Sequence, residues 1–278
     1  QFKIYGSSTL ENPPFNLNVF SNIKNLRTES KGNTPSERDL TITKEWLADI
    51  DKLDNTKPFL GFLFYDSAHG FSIPKNYQTK FNPSLKEPDY LAINGNYNPE
   101  KLINLYKNSL FYVDSLVGQV IQQLKEKNLL ENTIIIITGD HGQEFNDNKK
   151  GYWLHGGNFS DYQIKVPLLY YDGETSNTYT HNTFHYDIVP TLAKNLLKVK
   201  NDFKDYTTGK NLFNTDQRDW FICGYNQKYS LITNTLITNI SESGSYQTLD
   251  KNLNLTNQDI DLITLKEAFE INSRFFKK

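Results

Sequence analysis

Asn132-Thr133-Ile134-Ile135-Ile136-Ile137-Thr138-Gly139-Asp140-His141-Gly142 is the stretch from which the fold can be read. Four isoleucines between threonines leave no polar alternation, so residues 133–138 predict a central strand buried on both faces. Gly139 ends the run. Asp140 and His141 follow at its carboxyl end, the edge at which open α/β sheets hold ligands. A carboxylate beside an imidazole is a donor pair for a divalent metal. Gly142 then turns the chain into a polar loop that carries Glu144 and returns a second imidazole at His155, within Trp153-Leu154-His155-Gly156-Gly157. Asp and Gly are also ordinary turn residues, so Asp-His-Gly has to be weighed with the chain around it.

Outward from this stretch, composition narrows the function classes. The 278 residues suffice for a large α/β domain with a sizeable core. With 30 basic and 32 acidic side chains the net charge is -2, so no basic surface for nucleic acid is expected, and an anionic ligand needs a local site. Cys223 is the only cysteine, which excludes an internal disulfide and a thiolate zinc centre. No run reaches the 18 or so apolar residues of a membrane span, and Gln1-Phe2-Lys3-Ile4-Tyr5 is not a signal peptide. The chain has no methionine, position 1 included, and is expected to be part of a longer protein whose anchor lies upstream.

On the amino-terminal side, Phe2 to Tyr5 reads as a strand, Phe15 to Ile23 as loosely helical, and Leu40 to Ile50 as an amphipathic helix capped by Thr34 or Ser36. Pro58 to Tyr65 is a second buried strand, ending in Asp66-Ser67-Ala68-His69-Gly70, so it too delivers an acid and an imidazole. Residues 71–97 lack periodicity and predict a long functional loop or lid. Asn98-Pro99 opens the strongest helix, with Leu102, Tyr106, Leu110, Val113, Val117, Val120 and Leu124 as its core stripe. That helix joins the two buried strands in a β-α-β unit. Val166 to Tyr171 is the next strand. Asp187 reads as a helix N-cap with Pro190 in the first turn, and His181 and His185 read as packing or capping residues. Arg38 and Asp39 could form a buried or a surface pair. Residues 218–249 predict an antiparallel meander, and Asn257 to Phe276 a closing helix with Ile260, Leu262, Ile263, Leu265, Phe269, Ile271 and Phe275 apolar.

Gly139-Asp140-His141-Gly142, Leu154-His155-Gly156, Val166-Pro167-Leu168 and His185-Tyr186-Asp187-Ile188-Val189-Pro190-Thr191-Leu192 together resemble the core of the alkaline phosphatase and sulfatase superfamily. Gly6-Ser7-Ser8, Glu37-Arg38-Asp39, Gln143-Glu144-Phe145 and Gly209-Lys210-Asn211-Leu212-Phe213 resemble its YejM/PbgA-type branch, inner-membrane proteins with a periplasmic sulfatase-like domain. The resemblance implies an α/β sandwich with a mainly parallel central sheet flanked by helices, plus a small carboxyl-terminal antiparallel sheet and closing helix. Residues 1–215 would form the core, lacking its first strand and nucleophile segment, and residues 216–278 the sheet and helix packed on it. It implies Asp140 and His141 as ligands of a divalent metal (manganese, magnesium, zinc or calcium), and His155 as the contact to the transferred group. His69 would be a further substrate-side histidine, with Asp66 and Glu144 as supports. It implies an anionic phosphate or sulfate ester, such as a lipid head group, as substrate at the periplasmic face of the inner membrane. No nucleophile matches within this chain: Cys223 lacks the Cys-x-Pro-x-Arg surroundings of a sulfatase nucleophile. The part alone is therefore expected to be inactive. The competing expectation is a non-catalytic periplasmic domain that binds lipid and regulates lipopolysaccharide or cardiolipin homeostasis.

Overall fold

The computed structural model describes residues 1–54, 56–173, 176–225 and 228–276. They fall into two units, Gln1–Ile137 with Leu169–Glu174, and Thr138–Leu168 with Thr175–Lys278.

In the first unit, β1 (Phe2–Gly6) is followed by α1 (Pro35–Ile50) and then β2 (Leu60–Phe64). β1 and β2 pair in parallel, with Ile4 opposite Phe62. Thr34 caps α1 by accepting from Glu37 N, and Pro35 takes the first helical position, where its missing N–H costs nothing. Ser36 lies inside the helix. Ile42, Trp46 and Ile50 recur on one face and are buried with Tyr5 and Leu124. Each buried Ile or Leu of that cluster contributes about 1.5–3 kcal/mol. Residues 15–23, read as loosely helical, form turns without a helix.

The long helix α2 (Glu100–Glu126) begins after Pro99, and Asn98 Oδ1 accepts from Glu100 N. Its buried stripe is Leu102, Leu105, Ser109, Tyr112, Leu116 and Leu124. Of the predicted stripe Leu102 and Leu124 are buried and Leu110 is exposed, because the two successive steps of four from Leu102 drift off a 3.6-residue turn. Tyr112 Oη donates to Ser36 O at 3.0 Å and Gln123 Nε2 to Leu47 O at 2.6 Å, which ties α2 to α1. Residues 71–97 form the expected long loop, with a single 3-10 turn at Tyr90–Ala92. Buried Asn108 holds it, accepting from Lys80 N and Phe81 N and donating to Phe81 O.

β3 (Ile135–Thr138) pairs with β6 (Leu168–Tyr171) in a two-stranded sheet, with β4 (Glu144–Phe145), β5 (Trp153–Leu154) and the short α3 (Asp161–Ile164) between them in sequence. The isoleucine run thus forms a strand, but a shorter one than expected. Its isoleucines are half-buried rather than covered on both faces, and among the described strands it bonds to β6 alone. An apolar run reports that its side chains avoid water and does not report how many strands flank it.

α4 (Ile188–Asn195) precedes an antiparallel meander, β7 (Trp220–Tyr225), β8 (Lys228–Thr233), β9 (Leu236–Ile240) and β10 (Tyr246–Asp250), whose strands pair in sequence order. Ile232 and Ile237 face each other across β8 and β9 and are buried with Phe159 and Leu253. The closing helix is α5 (Leu262–Ser273), capped by Asp261, which accepts from Ile263 N and Thr264 N. It starts later than residue 257, and Leu262 and Ile263, expected in its apolar face, are exposed while Ala268 is buried. Burial raises the pKa of the Cys223 thiol, the reverse of what a reactive thiolate needs.

Candidate active site

At the end of β3 the backbone is held by its neighbours. Gly142 N donates to Gln163 O at 2.8 Å, and a Cβ at Gly142 would come within 2.3 Å of Tyr162 O. Only glycine allows the Asp-His-Gly turn to lie against the α3 backbone so closely. Asp140 is mostly exposed, and its Oδ1 accepts from His141 N at 3.1 Å and lies 3.7 Å from His141 Nε2.

His155 arrives on a separate loop. β4 and β5 form a small antiparallel ladder, Glu144 opposite Leu154 and Phe145 opposite Trp153. Leu154 and Gly156 have φ of 68° and 73°, so both neighbours of His155 occupy the left-handed region. For a leucine this conformation costs about 1–2 kcal/mol, and such strain collects where a side chain has to be aimed.

The two imidazoles come together. The rings of His141 and His155 stack with centroids 3.9 Å apart and planes 27° from parallel. His141 Nδ1 lies 2.9 Å from Gly142 O, and His155 Nδ1 lies 2.9 Å from Gln143 Oε1. Both oxygens can only accept, so in the tautomer that donates to them each Nδ1 carries the hydrogen and Nε2 is the nitrogen a metal or a transferring group would meet.

Glu144, expected to support an imidazole, is fully buried, and its hydrogen bonds go elsewhere. Its Oε2 accepts from Asn158 Nδ2 at 2.8 Å and Gln163 Nε2 at 2.7 Å. Gln163 Oε1 in turn accepts from Gly157 N at 3.0 Å and Asn158 N at 3.3 Å. Glu144 thus holds the backbone beyond His155 through two amides. Asn158 and Gln163 carry no signal in the sequence, and Gln143 enters it only within Gln143-Glu144-Phe145. Their polar side chains look like those of any loop, and only the position of Gln143 between His141 and Glu144 hinted at a role.

Two other histidines occupy this unit. His185 Nε2 is 3.3 Å from Thr138 Oγ1 at the tip of β3, and His181 Nε2 is 2.8 Å from Leu212 O. Asp187 stands at the N-cap of α4, as expected, but its side chain makes no hydrogen bond to that helix. It is instead a buried carboxylate that accepts from Phe184 N, Lys210 N and Arg218 Nη2, the last at 2.6 Å. The correction follows from burial: a carboxylate out of water needs a cation, and Arg218, distant in sequence, supplies it.

Asp66 and His69 lie in the first unit. His69 Nδ1 is 3.6 Å from Asp66 Oδ1, and Arg38 Nη2 donates to Asp66 Oδ2 at 2.8 Å. Arg38 therefore pairs with Asp66, not with Asp39. Asp39 is fully buried and accepts from Asp66 N and Ser67 N, both at 2.9 Å, so it fixes the turn that presents His69. Burial raises the pKa of its carboxyl, opposed by the hydrogen bonds it receives from the Asp66 and Ser67 amides.

Asp140 and His141 offer one oxygen ligand and one nitrogen ligand, a set that suits manganese, magnesium, zinc or calcium. Among the described residues no group of three or more His, Cys, Asp or Glu is placed to hold a metal. The pair fits two positions of a coordination shell.

The sulfatase family profile matches residues 3–196. An uncharacterized protein of Haemophilus influenzae is 30% identical over 178 residues, covering 62% of this chain and 29% of that protein. Inner membrane protein YejM of Salmonella typhimurium is 24% identical over 156 residues, 55% of this chain and 26% of YejM. Phosphoethanolamine transferase EptA of the same organism is 33% identical over 105 residues, 37% of this chain and 19% of the transferase. These matches span less than a third of each relative's length. Among solved structures, the phosphonate monoester hydrolase of Agrobacterium radiobacter shares the fold with a TM-score of 0.60 at 17% identity, over 89% of this chain and 62% of that one. Among the described residues no helix is long and apolar enough to cross a membrane.

Proposed function

This chain belongs to the sulfatase family, and on that premise we propose that it supplies part of the site of a metal-dependent hydrolase or phosphotransferase acting on an anionic ester, a phosphate or sulfate such as a lipid head group. The observation that carries this reading is the stacking of His141 on His155 at 3.9 Å, with Nδ1 of each ring 2.9 Å from an oxygen of the chain. Asp140 and His141 would hold a divalent cation, and Nε2 of His155 would contact the group being transferred. His69, oriented by Asp66, is proposed as a further substrate-side imidazole, and Glu144 as a support of the His155 loop. A bound cation would lower the pKa of an attacking oxygen and offset charge on the ester oxygens. The residues of this chain would orient the ester and donate to its oxygens as charge grows on them. By similarity to YejM, an inner membrane protein, the proposed location is the periplasmic face of that membrane.

A second reading is a lipid-binding domain that regulates lipopolysaccharide or cardiolipin without catalysis. The observation favouring it is that among the described residues no three metal donors are gathered, Asp140 and His141 being two.

Thermal unfolding with manganese, magnesium, zinc or calcium separates the two. Under the first reading at least one metal stabilises the chain, by about 2.7 kcal/mol at a hundredfold excess over its Kd. Asp140→Ala and His141→Ala remove that gain. If no metal shifts the wild type more than it shifts the variants, and anionic vesicles bind both alike, the regulatory reading stands instead.

A further inference from the structure

The carboxyl end of α4 leaves apolar side chains in water. Val189, Leu196, Leu197, Val199 and Phe203 are all exposed, Leu196 at 55% and Leu197 at 68%, and residues 194–205 are exposed without exception. The segment is built rather than loose. Leu196 N and Leu197 N donate to Leu192 O at 2.9 and 3.0 Å, and Val199 N donates to Ala193 O at 2.9 Å, so carbonyls at the helix end find partners. Lys198, in the left-handed region with φ of 54°, donates through Nζ to Asn195 O at 2.6 Å. A 3-10 turn follows at Phe203–Asp205, capped by Asp202, which accepts from Lys204 N at 3.0 Å. Val189 and Leu196 are about two helical turns apart and so share a face.

Charge sets this patch apart. Residues 188–205 carry Lys194, Lys198, Lys200 and Lys204 against Asp202 and Asp205, in a chain whose net charge is -2. Among the described residues of this unit the ion pairs are Asp140 with His141, Asp161 with Lys165, Asp187 with Arg218 and Lys266 with Glu270, and none involves these four lysines. Leu262 and Ile263 of α5 are exposed as well. There, however, Lys266 is paired with Glu270, and Asp259, Asp261 and Glu267 stand close in sequence, so that face has no surplus of positive charge.

Apolar side chains interleaved with unpaired lysines are the composition that settles into the interface of an anionic bilayer. The leucine, valine and phenylalanine side chains enter the boundary between head groups and acyl chains, while the lysine stems run beside them and keep their ammonium groups at the level of the phosphates. A protein surface would have to supply apolar cover and carboxylates at matching positions, whereas a bilayer supplies both in any register. We propose that residues 189–204 form a docking surface for an anionic lipid membrane. That the membrane is the one named above rests on the reading of location already given; lipid docking itself does not.

Co-sedimentation of the whole chain with vesicles of equal parts phosphatidylcholine and phosphatidylglycerol, against vesicles of phosphatidylcholine alone, tests the assignment. Binding to the mixed vesicles should exceed binding to the neutral ones and fall as salt rises from about 0.1 M to about 1 M. Lys200→Gln and Lys204→Gln should each weaken it by about fivefold, Leu197→Asp by about tenfold or more, and Ile263→Asp not at all. Asp140→Ala should lose any metal response and keep the vesicles, so the metal reading and this one fail separately. The proposal is overturned if the mixed vesicles bring down no chain, if the neutral vesicles bind as well as they do, or if Leu197→Asp, folded by circular dichroism, binds as the parent does. It is overturned too if the chain dimerises in sedimentation velocity and Leu197→Asp makes it monomeric, since a second copy then covers the patch.

Discussion

Replacing Gln163 by leucine is expected to loosen the His155 loop while sparing every residue of the Asp-His-Gly and Leu-His-Gly motifs. Gln163 is buried, with 3% of its surface exposed. It makes a charge-assisted hydrogen bond to Glu144 Oε2 at 2.7 Å and accepts from Gly157 N at 3.0 Å and, less well, Asn158 N at 3.3 Å. Leucine fills nearly the same volume, so the change is mainly polar. Loss of a bond to a charged group costs about 1.5–3 kcal/mol. The two backbone donors add about 0.5–1.5 kcal/mol, at the low end because Gly157 is exposed and its N–H can turn to water. Together these predict a loss of about 2–4 kcal/mol, read as a lower urea midpoint at unchanged slope. The His155 ring resonances should move as well, since stacking on His141 requires the loop to hold its place. A loss below about 1 kcal/mol with unmoved histidine resonances would refute the idea that the Glu144–Gln163 pair aims His155.

Asp187→Ala should cost about 3–5 kcal/mol in urea unfolding, because it leaves Arg218 buried without its counter-charge; Arg218 is also enclosed by the rings of Phe184 and Tyr186. An effect near zero would mean that Arg218 reaches water. Asp49 gives the pH dependence: the hydrogen bond from Tyr5, opposed by desolvation and aided by Lys52 and Lys3, depresses its pKa to about 2. A depressed acid stabilises the fold above its unfolded pKa of about 3.9 and loses that contribution as pH falls through about 2. The gap in urea midpoint between wild type and Asp49→Asn should therefore be constant above pH ~4 and close towards pH ~2. Solvent screening at this half-exposed site keeps the gap small; a gap that widens on acidification would contradict the assignment.

What could be read in the sequence was local. The isoleucine run, the Thr34 and Asn98 starts of the two long helices and the meander of short β-prone segments each follow from neighbours within a few residues. The sulfatase-like fold expected from the motifs is the fold the structural neighbours share. Errors appeared where a partner lies far along the chain. Asp187 does stand at the N-cap of α4, but its side chain takes Arg218, 31 residues away, as its cation. Arg38 and Asp39 read as a pair because they are adjacent, yet successive residues of a helix point about 100° apart. They reach the β2 turn separately, one through its Asp66 carboxylate and the other through the Asp66 and Ser67 amides.

The same distinction explains why the candidate site was half legible. Charged and imidazole groups at strand tips are scarce enough in sequence to attract notice, whereas the groups that aim them are uncharged amides. Gln143 Oε1 lies 2.9 Å from His155 Nδ1, and Gln163 holds the backbone two residues beyond it. A glutamine can donate and accept at once without a net charge, so it can bridge a buried carboxylate and a backbone N–H where a lysine would bring an uncompensated cation and a leucine would bring nothing. In a loop rich in asparagine and lysine such a residue has no periodic signature. A substitution at Gln163 would therefore leave the motifs intact to any sequence reading while removing the order that brings His141 and His155 to 3.9 Å.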